Sequence, residues 1–107
     1  MDTADTALRQ TVPATFITAG RDVTNADLGT IIKCSSSSPM TINIPIEGGT
    51  WTPPTDAIFF VSQEDAGKVT VTGSGVITSK NSTKEVWGII AIQRRGANNY
   101  RVIGGGN

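Results

Sequence analysis

The chain has 107 residues and a formal net charge of zero, nine basic side chains against nine acidic. That length fits one domain and leaves no room for a second core of useful size. Hydrophobic residues make up 37% and charged residues 17%; this is too uncharged for a solvating tail, and no apolar run reaches the ~18 residues of a membrane span. Twelve Ile and eight Val stand against two Leu, with fifteen Thr and twelve Gly. Stiff β-branched side chains suit a pleated, half-buried surface, so an all-β fold is expected. Histidine is absent and Cys34 is the single cysteine. Zinc and copper sites, histidine-based triads and a disulfide framework are thereby excluded. Cys34 is expected to be a buried small hydrophobe or, failing that, an intermolecular bridge. With a pI near 6.1 the basic excess needed for a nucleic-acid partner is missing. No cofactor, metal or membrane partner is expected.

Residues 1–14, MDTADTALRQTVPA, are polar and stopped by Pro13, and read as an extended N-terminal arm outside a single domain over 15–107. The start is acidic where a signal peptide is basic, so synthesis in a cytoplasm is expected. From Thr15 the chain reads as short strands divided by turn residues. TFIT (15–18) is followed by DVTNADLG (22–29), where Asp22 or Thr24 caps one helical turn that Gly29 ends. TIIKC (30–34) leads into the Ser35–Ser38 loop and Pro39. MTINIPI (40–46) alternates, with Met40, Ile42, Ile44 and Ile46 on one face, and Pro45 places it at an edge or sheet boundary. EGGTWTPPTD (47–56) is the longest loop. AIFFVS (57–62), KVTVT (68–72) and VITS (76–79) read as a meander. VWGIIAIQ (86–93) and YRVI (100–103) close the fold through a hairpin turn at 96–99. About eight short strands at this spacing predict an antiparallel β-sandwich or a jelly-roll-like small barrel. No exact internal repeat is visible.

Two strands are apolar on both faces. In 57–62, Ala57, Phe59 and Val61 oppose Ile58 and Phe60; in 86–93, Trp87, Ile89 and Ala91 oppose Val86, Ile90 and Ile92. A sandwich strand needs one apolar face. Either a loop, such as Trp51–Pro54 or the arm, covers the second face, or the second faces meet in a symmetric oligomer. The oligomer reading takes Phe59, Phe60, Trp87, Ile89, Ile90 and Ile92 as interface residues.

Little in the sequence carries catalysis. Glu64-Asp65 is the one adjacent carboxylate pair, and turn formation before Gly67 explains it; Glu47 and Asp56 flank the long loop in the same manner. The glycines lack phosphate-cradle spacing. Trp51, on its Pro-flanked loop, is a possible ligand platform or else a lid over the domain's end; Trp87 and Tyr100 are lesser sugar-binding candidates. Arg94, Arg95 and Arg101 form a basic cluster across the closing hairpin, suited to an acidic neighbour. Residues 1–60 hold three basic and six acidic side chains, and residues 61–107 six and three; either the halves interleave in a sandwich and the asymmetry vanishes in space, or it favours complementary packing between copies.

A series of short motifs carries a resemblance. Asp22-Val23-Thr24 through Asp27-Leu28-Gly29 is followed by Ile31-Ile32, then Thr41-Ile42-Asn43-Ile44-Pro45, then Gly67-Lys68-Val69-Thr70-Val71, and finally Asn99-Tyr100-Arg101-Val102-Ile103-Gly104. Over roughly residues 15–105 this resembles the small β-sandwich domains on the outside of tailed-phage virions: head decoration (cement) proteins, head fibres and tail-fibre modules. Tyr100 stands where such domains often carry Trp. The resemblance implies a structural virion protein with no enzymatic activity, located on the capsid surface. It implies a homotrimer that binds the major capsid protein or another virion protein and stabilises the head. The short arm points to a decoration protein, with Asp2, Asp5, Leu8, Arg9, Val12 and Pro13, together with Arg94, Arg95 and Arg101, as neighbour contacts. A receptor- or carbohydrate-binding tail, neck or fibre module is the alternative.

Overall fold

A computed structural model of the chain describes residues 12–73 and 81–104. Seven strands are present among them: β1 (Ala14–Ile17), β2 (Ile31–Cys34), β3 (Met40–Asn43), β4 (Ile58–Gln63), β5 (Val69–Thr72), β6 (Ile89–Gly96) and β7 (Asn99–Ile103). They form a five-stranded sheet in the order β1-β2-β4-β6-β7 and a two-stranded sheet of β3 and β5. The all-β expectation holds, as does the layering of two sheets about one core. The expected strand at 76–79 lies outside the described residues.

The strand directions differ from the antiparallel expectation. β1–β2, β2–β4 and β3–β5 are parallel, and β4–β6 and β6–β7 are antiparallel. A parallel pair needs a crossover between its strands, and here the crossover is a strand of the opposite sheet. The chain runs from β1 to a bridge at Asp22 beside Asn43, back to β2, across to β3, back to β4 and across to β5. It is a coil of three turns, closed by the β6–β7 hairpin. The predicted 57–79 meander fails for this reason: β4 and β5 are consecutive in the chain but belong to different layers. Among the described residues the two sheets are open and do not close into a barrel. Alternating hydrophobicity reports which face of a strand is buried, not which way its neighbour runs.

The first crossover is pinned by charge. A short 3-10 turn, Asn25–Asp27, follows Thr24. The buried Asp27 carboxylate accepts from both guanidinium nitrogens of Arg21 at 2.8 and 2.9 Å and from the Thr24 amide at 2.8 Å. Burial alone would raise the Asp27 pKa, but the Arg21 and Thr24 bonds outweigh it and hold the carboxyl below its ordinary value. Gly29, at φ 75°, ends the segment as expected.

Successive turns of the coil stack through their corners. The Ser35 amide donates to Ile17 O at 2.9 Å, Glu64 to Cys34 O at 2.8 Å and Gly67 to Ser36 O at 2.8 Å. The approach is close enough to demand glycine: a Cβ on Gly67 would overlap the Ser38 carbonyl oxygen, and one on Gly20 the Thr41 carbonyl oxygen. Between the layers, Ile32, Phe59, Val61, Ile90, Ile92, Tyr100 and Val102 of the large sheet meet Met40, Ile42, Val69 and Val71 of the small one. Ile44 joins this core beyond the end of β3, whereas Ile46, predicted on the same face, is exposed past Pro45.

The corner geometry has a direct test. Gly67→Ala forces the second and third corners apart and should cost about 1–3 kcal/mol, as over-packing does, lowering Tm by several degrees. Gly96→Ala, at a site with open space around it and no left-handed φ, should leave Tm nearly unchanged. Equal melting of the two variants by calorimetry would show that corner stacking does not limit stability.

Candidate functional site

The inner and outer faces of the large sheet follow from register. Ala14, Ile31, Phe60, Ala91 and Ile103 are directly opposed across all five strands, and they alternate with the core residues Ile32, Phe59, Val61, Ile90, Ile92 and Val102. They therefore form one row on the face turned away from the core. The adjacent row is Phe16, Lys33, Ser62 and Ile89, and on the other side Ile58, Gln93 and Arg101 share the face. Eight of these twelve positions are apolar. Phe16 is 66% exposed and Ile89 54%, with Ile103 also in water. Lys33 Nζ lies 5.2 Å from the Phe16 ring centroid, and Ser62 donates to Glu64 Oε2 at 2.8 Å.

The small sheet shows what a solvated face looks like in the same molecule. Its outward positions are Thr41, Asn43, Thr70 and Thr72, without an apolar side chain. One outer face carries only hydroxyls and amides; the other carries Ile, Phe and Ala at eight of its twelve positions. The sequence reading divided the faces of 58–61 and 89–92 correctly but pooled them when naming interface residues. The expected strand over 86–93 starts only at Ile89, and Val86, placed on the core side, is exposed in the turn before it. Phe59, Ile90 and Ile92 are core residues, since the small sheet covers them. Phe60 is half-buried on the outer face, and Ile89 and Trp87 are exposed. Ile31, Ile58, Phe16 and Ile103 belong to the same surface and were missed; only the strand order reveals that they are neighbours.

Trp87 borders this face on a strained turn. The Gly88 amide donates to Glu85 O at 2.9 Å and the Trp87 amide to Gln63 O at 2.6 Å. Trp87 takes φ 71°, the left-handed region that a bulky side chain rarely adopts. Its indole is 70% exposed. Residues held in such conformations with their side chains in water concentrate at binding sites.

Trp51 behaves in the opposite way. It is 1% exposed, so the lid reading replaces the ligand platform. The Gly48–Trp51 hairpin, with Gly49 at φ 59°, turns the indole inward. Its Nε1 donates to Tyr100 Oη at 2.9 Å, and that hydroxyl donates to the Glu47 carboxylate. Glu47 also takes a bidentate pair from Arg94 at 2.9 Å for each bond, and its amide donates to Asn98 Oδ1 at 2.8 Å. The Arg94 guanidinium holds the Glu47 carboxyl down at about 2, and burial followed by the Glu47 bond pushes the Tyr100 phenol up to about 12. The predicted basic cluster is thus divided. Arg94 is spent inside this relay, Arg101 lies on the outer face, and Arg95 is exposed beside the register shift between Arg94 and Gly96.

Of the predicted arm contacts, Asp2, Asp5, Leu8 and Arg9 lie outside the described residues. Val12 and Pro13 are exposed, and the Pro13 carbonyl accepts from the Ile31 amide at 2.9 Å. Cys34 is buried, its thiol pushed up to about 12 by desolvation, so it is the small hydrophobe of the two alternatives. Among the described residues, no three of the Cys, Asp and Glu side chains gather to hold a metal ion.

The relay sets an acid limit. The Glu47 pKa is lower in the folded chain than its ordinary 4.5, so its stabilisation is fully present above 4.5 and drains as pH falls towards 2. The wild-type Tm should therefore drop across that window, and the Glu47→Gln variant should show a flatter profile at lower overall Tm. Parallel profiles would remove Glu47 from the acid response. At Trp87 the expectation runs the other way. Trp87→Gly relieves the left-handed penalty and should raise the stability of the dilute chain by roughly 1 kcal/mol, read by urea denaturation.

Comparison with protein-family models, with curated proteins and with solved structures gives no match for this chain, so its surface is interpreted from its own geometry.

Proposed function

We propose that this chain is a structural virion protein of a tailed phage: a capsid decoration protein, made in the host cytoplasm, that binds the outer capsid surface as a homotrimer and stabilises the head. The observation that carries the reading is the asymmetry of its two outer faces. A sheet face with eight apolar positions, bounded by the exposed Phe16, Ile89 and Trp87, is larger than isolated surface hydrophobics require and suits a covered interface. Burial of each large side chain gains roughly 1.5–3 kcal/mol, enough in combination to hold copies together.

The role needs adhesion and no catalysis. Copies joined through the outer face would present several modest contacts to the capsid at once, and their joint avidity far exceeds that of one copy. The arm residues up to Pro13 and the exposed cations Arg95 and Arg101 are the proposed capsid contacts; Ala14 is withdrawn from that set because it belongs to β1, and Arg94 because Glu47 holds it.

The test uses purified chain and capsids that lack it. Wild-type protein should sediment as an oligomer and saturate the capsids at hundreds of copies, raising the temperature of genome release. Ile89→Glu, at an exposed position, should leave the monomer's Tm within a few degrees yet lower the sedimenting mass to one chain and reduce capsid occupancy at least tenfold. Full occupancy by a monomeric variant would reject the outer face as the oligomer contact. A second reading, a carbohydrate-binding tail, neck or fibre module, is favoured by the exposed Trp87 indole alone. It predicts a virion copy number of a handful and glycan-array binding that Trp87→Ala abolishes.

A further inference from the structure

We propose that β1 is a self-pairing edge: two copies join their β1 strands antiparallel about a two-fold axis at Thr15, continuing the large sheet from one chain into the next. The inference rests on the assembly reading above and adds a second contact to it, an edge as well as a face.

The backbone of β1 is satisfied on one side only. Pro13 O and Ile17 O accept from the Ile31 and Ser35 amides, so residues 13, 15 and 17 turn their peptide groups towards β2. Strand backbones alternate, and Ala14 and Phe16 therefore direct N–H and C=O away from the sheet, where no described strand lies. Such an edge is a template for a further strand.

The other sheet edges are managed. Beyond β3, the Val23 amide donates to Asn43 O and the Asn43 amide to Arg21 O, at 2.9 and 3.0 Å. Beyond β5, the Val71 amide donates to Asn81 O and the Thr83 amide to Val69 O, both at 2.9 Å. β7 carries the charge of Arg101 at its centre and follows the irregular register at Arg94/Gly96. β1 has no charge, no bulge and no proline within Ala14–Ile17. Uncharged exposed edges are what proteins ordinarily avoid, and among the described strands β1 is the one edge of four left so.

A second copy is the occupant that this edge fits. The strand is uncharged, so self-pairing sets no like charges opposite one another. With Ala14 and Phe16 facing outward, the hydrogen-bonded pairs are Ala14 with the partner's Phe16 and Phe16 with the partner's Ala14, large against small. Thr15 then stands opposite the partner's Thr15 as a non-hydrogen-bonded pair, a favourable cross-strand match. On the outer face, the apolar row that ends at Ala14 continues across the axis into the partner's Phe16.

The register fixes the experiment. A non-hydrogen-bonded antiparallel pair has Cα atoms ~4.5 Å apart, within the ~4.4–6.8 Å that a disulfide spans. In the full chain, with native Cys34 buried, Thr15→Cys should form a disulfide-linked two-chain species under mild oxidation. Ser37→Cys, equally exposed and off the edge, should remain a single chain. Thr15→Lys should keep the wild-type Tm and lower the sedimenting mass at matched concentration by one association step. Cross-linking of Thr15→Cys no faster than Ser37→Cys, or preferential coupling of Thr15→Cys to Arg101→Cys in a mixture, overturns the two-fold pairing. So does an unchanged mass for Thr15→Lys. None of these measurements involves capsids, so loss of the edge contact and failure of the decoration role are separately visible.

Discussion

Close approach of successive backbone corners is the constraint on which the rest of the fold depends. A strand can return parallel to itself after a single excursion through the opposite layer only if each corner lies directly on the one before. Gly67 against Ser36 and Ser38, and Gly20 against Thr41, set that spacing. Once it is set, β1, β2 and β4 fall into one parallel ladder and β3 and β5 into another. The β6–β7 hairpin then closes one end of the large sheet, and among the described residues every crossover runs through the small sheet's layer.

That geometry explains why the two layers are so unlike. The small sheet covers the inner face of the large one, and the flanking segments 21–23 and 81–83 extend it at both edges. Its own outer face can then be given over to Thr and Asn. The large sheet is wider, and eight of the twelve positions on its outer face are Ile, Phe or Ala, with Phe16, Ile89 and Ile103 exposed. The relay of Trp51, Tyr100, Glu47 and Arg94 holds the long 47–56 loop against the inner side, so that loop is not available as the cover. Of the covers considered for the doubly apolar strands, the Trp51 loop fails on this observation; most of the arm lies outside the described residues, and association between chains is the reading proposed above.

Much of this was legible in the sequence, and the boundary of legibility is physical. Period-two alternation identified the buried side of 40–44 and 68–72 and separated Phe59 and Val61 from Ile58 and Phe60, because burial acts on each strand independently. Strand direction and order were not legible, since an alternating pattern serves either direction equally well. The outer row could not be assembled from sequence for the same reason: Ala14, Ile31, Phe60, Ala91 and Ile103 span 90 residues and become neighbours only through the coil. Trp51 read equally as a platform or a lid because a Pro-flanked loop signals exposure; what the loop hid was an anionic acceptor, Glu47, that lets an indole N–H and a phenol be buried with their bonds made. The left-handed φ of Trp87 carries no sequence signal, as Trp is among the last residues to be expected there.

Among its described residues the neutral chain has one largely apolar outer face and one uncharged edge, which offer two non-competing ways for the proposed assembly to join copies. A face contact stacks sheets ~10 Å apart, whereas an edge contact extends a sheet in its own plane at ~4.8 Å. Under the proposed assembly, a three-fold contact through faces would close on itself, and a two-fold contact through β1 would link one such trimer to the next. Together they would build a net instead of isolated oligomers, with each copy held at two independent places. Neither contact needs to be strong: release from a surface then requires both to open together, and the effective concentration of the second contact is set by the first. Zero net charge favours such an arrangement by removing the long-range repulsion that would oppose packing many copies side by side.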